Sequence, residues 1–356
     1  MLPLKIISVR ITDYCTNNCP GCPIYKNERR KKAIMSPVDF EKVINFSAEY
    51  LSYKNHRPHL QLGLGNTLAF EPELHEFLGI IESIPSFYKN GMVIEFGSTL
   101  LENNDVEKIQ SLSKRVNEIT SDNHQIIEVI IDPLISDENL FVLKANLDAL
   151  KALNYDLHII IRYSNAFNYI EDKLNNVLSI LSLKEVVVDF CFAEFAVGTK
   201  YDYLSYEKWF TNQFKKIENK TKTKIFPMHT LEMSSIGNSD PNDGFSINKE
   251  LKVLNLLSTI FGDVYIGASN NNHKFVIDLN DFDNGEEAAK NLLTYEKTET
   301  VKKNIQNSIH PVCSACNLKE GCPSSLIQNF SNINDLNINK DSCMYGKKII
   351  DFLSTV

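Results

Sequence analysis

The sequence predicts an α/β fold: a partial (β/α)6 barrel, open on one side, followed by a smaller C-terminal region. Three observations predict it. Apolar, β-branched runs alternate with stretches at helical spacing from residue 4 to about 192. Six such units are too few for a closed eight-stranded barrel. From about Lys220 the alternation stops, and residues 233–247 (MSSIGNSDPNDGFSI) carry the Ser, Asn, Asp, Gly and Pro content of a linker.

The strands are expected at Lys5–Ile11, Leu60–Leu64, Met92–Phe96, Ile126–Ile131, Leu157–Arg162 and Glu185–Phe190. Between them the helical spacing predicts Val38–Leu51, Glu71–Ile84, Leu100–Ile119, Glu138–Leu153 and Asn168–Leu183, with a further helix over Tyr206–Glu218. Ser36-Pro37 supplies the first helix with an N-cap and a first-turn proline. The domain division that follows is 1–232 for the barrel, 233–254 for a linker and connecting helix, and 255–356 for the smaller region. In parallel sheets of this kind, ligands sit at the C-terminal ends of the strands. Those ends carry Cys15, Gly63–Thr67 and Cys191, which the topology brings toward one mouth.

Composition narrows the function. The 356 residues are 43% hydrophobic, enough for a large core. The net charge of −8 gives no pull toward nucleic acid or an anionic membrane. The short basic run Arg29–Lys32 reads as a solvated loop face. No run of 18 apolar residues exists, and the N-terminus reads as a strand rather than a signal peptide. A cytoplasmic location is expected, where grouped cysteines point to metal or redox chemistry rather than disulfides.

The eight cysteines form two groups and a singlet. The first group is Cys15-Thr-Asn-Asn-Cys19-Pro-Gly-Cys22, three thiolates on a loop that Pro20 and Gly21 can fold inward. A cubane cluster takes four cysteines, so three leave one iron open to another ligand. Zinc is the other metal to weigh, but its structural sites want four protein ligands and its common motifs pair CxxC units.

Cys-x3-Cys-x2-Cys directly after a first strand resembles the radical S-adenosylmethionine superfamily. The resemblance implies a [4Fe–4S] cluster on Cys15, Cys19 and Cys22 whose open iron binds S-adenosylmethionine. It implies reductive cleavage of that cofactor to a 5′-deoxyadenosyl radical. Further motifs are similar in a weaker form. Registered on Pro72 and Leu74, the stretch Gly65-Asn66-Thr67-Leu68 falls on the family's Gly-Gly-Glu-Pro motif, which contacts the cofactor's amino group. Only the first glycine is kept, and Thr67 stands where the family has an acid. Phe96-Gly97-Ser98-Thr99-Leu100-Leu101 resembles the segment after the family's third strand. By the same resemblance Ser98 and Asp132 are expected near the cofactor, while Arg162, at the end of the fifth strand, is placed either to reach the cofactor's carboxylate or to form a surface salt bridge. Gly21 replaces the aromatic residue that the family often places beside the adenine.

The second group, Cys313-x2-Cys316-x5-Cys322-x20-Cys343, supplies four thiolates, a full set for [4Fe–4S] or for zinc. Its spacing resembles the outer auxiliary cluster of SPASM/twitch-like domains in radical peptide-modifying enzymes, which implies a second [4Fe–4S] cluster. Gly262-Asp263-Val264-Tyr265-Ile266-Gly267 resembles the hairpin that carries the inner cluster's first ligand, but Gly267 holds the ligand position and Leu326 another. The inner cluster is therefore expected to be lost. The remaining cluster, fully ligated, can transfer an electron or staple the fold.

Cys191 is either a buried small apolar residue or a hydrogen-atom donor in the barrel mouth, as in some radical peptide epimerases. The resemblance implies a precursor peptide or protein as substrate, with cross-linking, epimerisation or oxidation as the outcome, and a flavodoxin- or ferredoxin-type electron donor. The chain starts directly with the barrel, so a separate peptide-recognition protein or direct leader binding is expected. Two other readings stay open: a radical dehydrogenase or mutase acting on a small molecule, and a peptide-binding partner that keeps its clusters without turnover.

Overall fold

The computed structural model describes residues 2, 4–17, 31–63, 65–131, 135–163, 186–192, 223–226, 256–258, 263–266 and 274–296. The barrel strands are β1 (Leu4–Val9), β2 (Arg57–Leu62), β3 (Met92–Ser98), β4 (Asn123–Ile131), β5 (Asp156–Tyr163), β6 (Val186–Phe192) and β7 (Thr223–Phe226). Three more follow: β8 (Leu256–Ser258), β9 (Asp263–Ile266) and β10 (Lys274–Asp278). The helices are α1 (Pro37–Lys54), α2 (Glu71–Glu82), α3 (Pro85–Tyr88), α4 (Asp105–Ile119), α5 (Asp137–Ala152) and α6 (Gly285–Glu296).

All ten strands join one sheet in the order β10-β9-β8-β1-β2-β3-β4-β5-β6-β7. From β1 to β7 each strand pairs in parallel with its successor in the chain. This is the single-direction winding of a (β/α) barrel, and among the described residues helices form the crossovers from β1 to β5. The six expected strands are all present. The fourth begins three residues early at Asn123, and β7 extends the row by one. The sequence expectation passed over β7 because four residues, Thr-Lys-Ile-Phe, are too short to show a period.

β8 pairs in parallel with the free edge of β1, and β9 and β10 continue antiparallel. β9 and β10 thus form the hairpin expected around Asp263–Ile266, tied into the barrel's sheet. Behind it, α6 lies against α1, with Lys42 Nζ donating to Asn280 Oδ1 at 2.8 Å. Among the described residues no helix is long and apolar enough to cross a membrane.

Strand alternation divides the sheet's two faces. Leu60, Leu62, Ile94, Phe96, Ile127, Val129, Leu157 and Ile159 are buried in the apolar core with the helices. Helix α1 begins at Ser36, whose hydroxyl accepts from Asp39 N at 3.1 Å, and ends at Asn55 in the left-handed conformation (φ 56°). Phe40 of α1 stacks on Phe77 of α2 at 4.3 Å, and both are fully buried. Burying each such ring is worth about 1.5–3 kcal/mol.

Helix α4 starts five residues later than its expected first residue, Leu100. The cause is local. Ser98 Oγ accepts from Leu100 N at 2.9 Å and Leu100 sits at φ 52°, so the chain turns before it can coil. That conformation costs a branched residue about 1–2 kcal/mol. Asn146 of α5 holds the turn by donating to Leu100 O at 3.0 Å and to Glu102 O at 2.8 Å. The helices expected at 168–183 and 206–218, and the linker at 233–254, lie outside the described residues.

Candidate functional site

The segment after β1 crosses the C-terminal ends of the next three strands. Its base is clamped. Thr12 bridges Ile34 in antiparallel sense, Met35 N donates to Ile11 O at 2.7 Å, and the Thr12 hydroxyl donates to Ala33 O. Residues 11–12 and 33–35 therefore meet at the base of this segment.

Above the clamp, each strand end holds the segment in turn. At β2, Asn66 N donates to Tyr14 O at 2.7 Å. At β3, the Thr16 and Thr99 hydroxyls meet at 3.4 Å. At β4, Asn17 Nδ2 donates to Ile130 O at 2.9 Å, and Asn17 is buried. Cys15 lies between these tethers and is itself buried, only 5% exposed. Tyr14 packs edge-on against Phe70 at 5.7 Å, with Lys32 Nζ 5.5 Å from its ring centre.

The glycines explain how the backbones come so close. A Cβ on Gly65 would lie 2.4 Å from Tyr14 O and 3.2 Å from Thr12 O. A Cβ on Gly97 would lie 3.0 Å from Gly65 O. Only glycine lets the β2 turn pass between the cysteine segment and β3.

The expected cofactor residues separate by role. Asn66 is 1% exposed, and among the described residues neither its amide nitrogen nor its oxygen has a hydrogen-bond partner. A buried, unpaired amide costs about 1–3 kcal/mol, so a ligand that pairs with it is favoured. Thr67, also buried, donates its hydroxyl proton to Gly97 O at 2.7 Å, joining the β2 turn to β3. Ser98 is buried and committed to the Leu100 turn. Thr67→Val is therefore expected to cost about 1–2 kcal/mol, because it strands the Gly97 carbonyl. Thermal unfolding should show the loss, and ligand affinity measured on the folded protein should change less than threefold.

Arg162 of β5 pairs in register with Cys191 of β6, which puts both at one level of the sheet. Cys19, Cys22 and Asp132 lie outside the described residues, as do Cys313, Cys316, Cys322 and Cys343.

Sequence reasoning missed a polar cluster lower in the sheet. Glu95 sits in β3, all of whose seven residues are buried. It accepts from His59 at 2.9 Å, Gln61 at 2.7 Å and His158 at 2.9 Å. Burial pushes its carboxyl up, but the hydrogen bonds and charge of the two imidazoles outweigh this and hold it well below the usual carboxylate range. The signal was available: one acid in an otherwise apolar strand, with histidines at alternate positions in β2 and β5.

In sequence, no protein-family model and no curated protein matches the chain. In three dimensions it is similar to native anSMEcpe with bound AdoMet, at a TM-score of 0.62 and 14% identity, over 99% of this chain and 95% of that one. It is also similar to Streptococcus suis SuiB bound to S-adenosylmethionine, at a TM-score of 0.52 and 13% identity, over 91% of this chain and 72% of that one. SuiB bound to precursor peptide SuiA matches at a TM-score of 0.51 and 12% identity, over 91% of this chain and 71% of that one. The chain thus shares its fold with proteins whose structures hold AdoMet.

Proposed function

We propose that this protein is a radical S-adenosylmethionine enzyme that modifies a peptide or protein. The observation that carries the reading is the tethered Cys15 segment, laid over strand ends where the amide of Asn66 is buried and unpaired.

The residues present suit the group. Cys15, with Cys19 and Cys22, would hold a [4Fe–4S] cluster through three thiolates. S-adenosylmethionine carries an ammonium and a carboxylate, and one amide side chain can serve both kinds of group: its oxygen accepts and its nitrogen donates. Asn66 thereby does without charge what an acid does in the resembling motif. When bound there, the cluster and cofactor would supply a 5′-deoxyadenosyl radical for hydrogen-atom abstraction from substrate. The protein's part is to orient that chemistry and keep water from it. Gly65 and Gly97 set the close packing around the site, and Thr67 holds the turn in place.

The peptide substrate draws support from SuiB, whose fold this chain shares and whose structure with precursor peptide SuiA is among the matches. The second cysteine group would hold an auxiliary [4Fe–4S] cluster, and a flavodoxin- or ferredoxin-type protein would supply electrons. Arg162 and Asp132 would face the cofactor, and Cys191, in register with Arg162, would donate a hydrogen atom if the outcome is epimerisation.

The test is cofactor binding by Asn66→Leu, measured by calorimetry on cluster-loaded protein under anoxia. Affinity for S-adenosylmethionine should fall about tenfold or more, the loss of one to two hydrogen bonds. Thermal stability should hold or rise, since a buried unpaired amide is removed. Unchanged affinity would remove Asn66 from the cofactor site.

A further inference from the structure

The Glu95 cluster lines a face that the proposed chemistry does not use. His59 and Gln61 of β2, Glu95 of β3, Glu128 of β4 and His158 of β5 alternate with the apolar residues that pack under the helices. They therefore share the opposite face, toward the barrel interior. His59 Nε2 and Gln61 Nε2 both donate to Glu95 Oε2, and His158 Nδ1 donates to Glu95 Oε1. Register places Gln61 beside Glu95 and Glu128 beside His158. One donor atom each from Glu95, Glu128 and His158 lie within 4.8 Å of one another. Two residues beyond Gln61, and so on the same face, a Cβ at Gly63 would meet nothing within 4 Å. Among the described residues, nothing packs against that position.

We infer that Glu95, Glu128 and His158 form a site for one divalent transition-metal ion inside the barrel, separate from the cysteine clusters. Two carboxylates and an imidazole are a donor set for ions such as Mn²⁺, Fe²⁺ or Zn²⁺. At metal–ligand distances of about 2.0–2.2 Å, neighbouring donor atoms lie roughly 3 Å apart. The 2.9 Å between His158 Nδ1 and Glu95 Oε1 meets that spacing, and small side-chain rotations bring in Glu128. His59 and Gln61 hold the other oxygen of Glu95, the outer support that ligating carboxylates use. Binding through His158 Nδ1 needs the neutral tautomer that carries its proton on Nε2. The three ligands come from three adjacent strands.

The experiment uses the full chain with its clusters loaded, under anoxia, titrated with Mn²⁺ while free Mn²⁺ is read by electron paramagnetic resonance. Mn²⁺ is chosen because carboxylate and imidazole suit it and thiolate does not. The wild type should take up one Mn²⁺ per chain. E95Q should abolish uptake, and E128Q should weaken it at least tenfold with the iron content unchanged. Glu128 is only half-buried, so E128Q keeps the test valid if E95Q does not fold. No Mn²⁺ uptake by the wild type, or equal uptake by E128Q, would overturn the inference. Neither outcome bears on S-adenosylmethionine binding at Asn66.

Discussion

Cys15→Ala is expected to reduce cofactor cleavage to background and to remove the iron–sulfur absorbance of the first cluster. Its iron content should fall by about one four-iron cluster. The thiol is buried, yet the segment around it is held by groups that the substitution leaves in place: Asn66 N on Tyr14 O, Thr16 on Thr99, and Asn17 on Ile130 O. The loss of a thiol should therefore cost the cluster and not the barrel. Circular dichroism should stay that of the wild type. An alanine variant that keeps its full iron complement would show that Cys15 is a structural core residue.

The second large effect is expected at Gly65. An alanine there places its methyl 2.4 Å from Tyr14 O, and that carbonyl is fixed by Asn66 N at 2.7 Å. Backbone cannot swing away as a side chain can, so either the turn or the cysteine segment must move. Gly65→Ala should destabilise the protein by at least about 2 kcal/mol, the scale of overpacking in a well-filled interior. Cluster loading should fall with it, because the displaced carbonyl is next to Cys15. Gly63→Ala is the control, since its methyl would meet nothing within 4 Å. Chemical denaturation of the pair, followed by iron analysis, separates a steric effect at Gly65 from a general intolerance of the turn. Equal stability of the two variants would contradict the packing described.

Much of the barrel was legible in the sequence because period carries the information. Leu60 and Leu62, then Ile127, Val129 and Ile131, alternate as buried strand residues do, and Ser36-Pro37 marks the start of α1. The reading slipped where local polar groups override the period. Leu100–Asn104 has helical composition, but the Ser98 hydroxyl and the Asn146 amide turn it into a loop. β7 and β8 are too short to show alternation, and β8 owes its place to the open edge of β1.

The site was legible in its chemistry and not in its tethers. Cys15 was marked by its spacing to Cys19 and Cys22, and Gly65 and Asn66 by a motif. Nothing in one sequence shows that Thr67 is committed to Gly97 O while the Asn66 side chain has no partner among the described residues, because both facts depend on how β2 lies against β3. The same holds for Glu95, whose partners come from β2 and β5, 34 to 63 residues away.

The most direct test of the central claim is reductive cleavage of S-adenosylmethionine by the full chain, with clusters reconstituted under anoxia and dithionite as electron source. The account predicts 5′-deoxyadenosine and methionine in equal amounts, formed by the wild type and not by Cys15→Ala. Full iron content without 5′-deoxyadenosine would contradict it, and would leave a cluster-bearing, peptide-binding protein in its place.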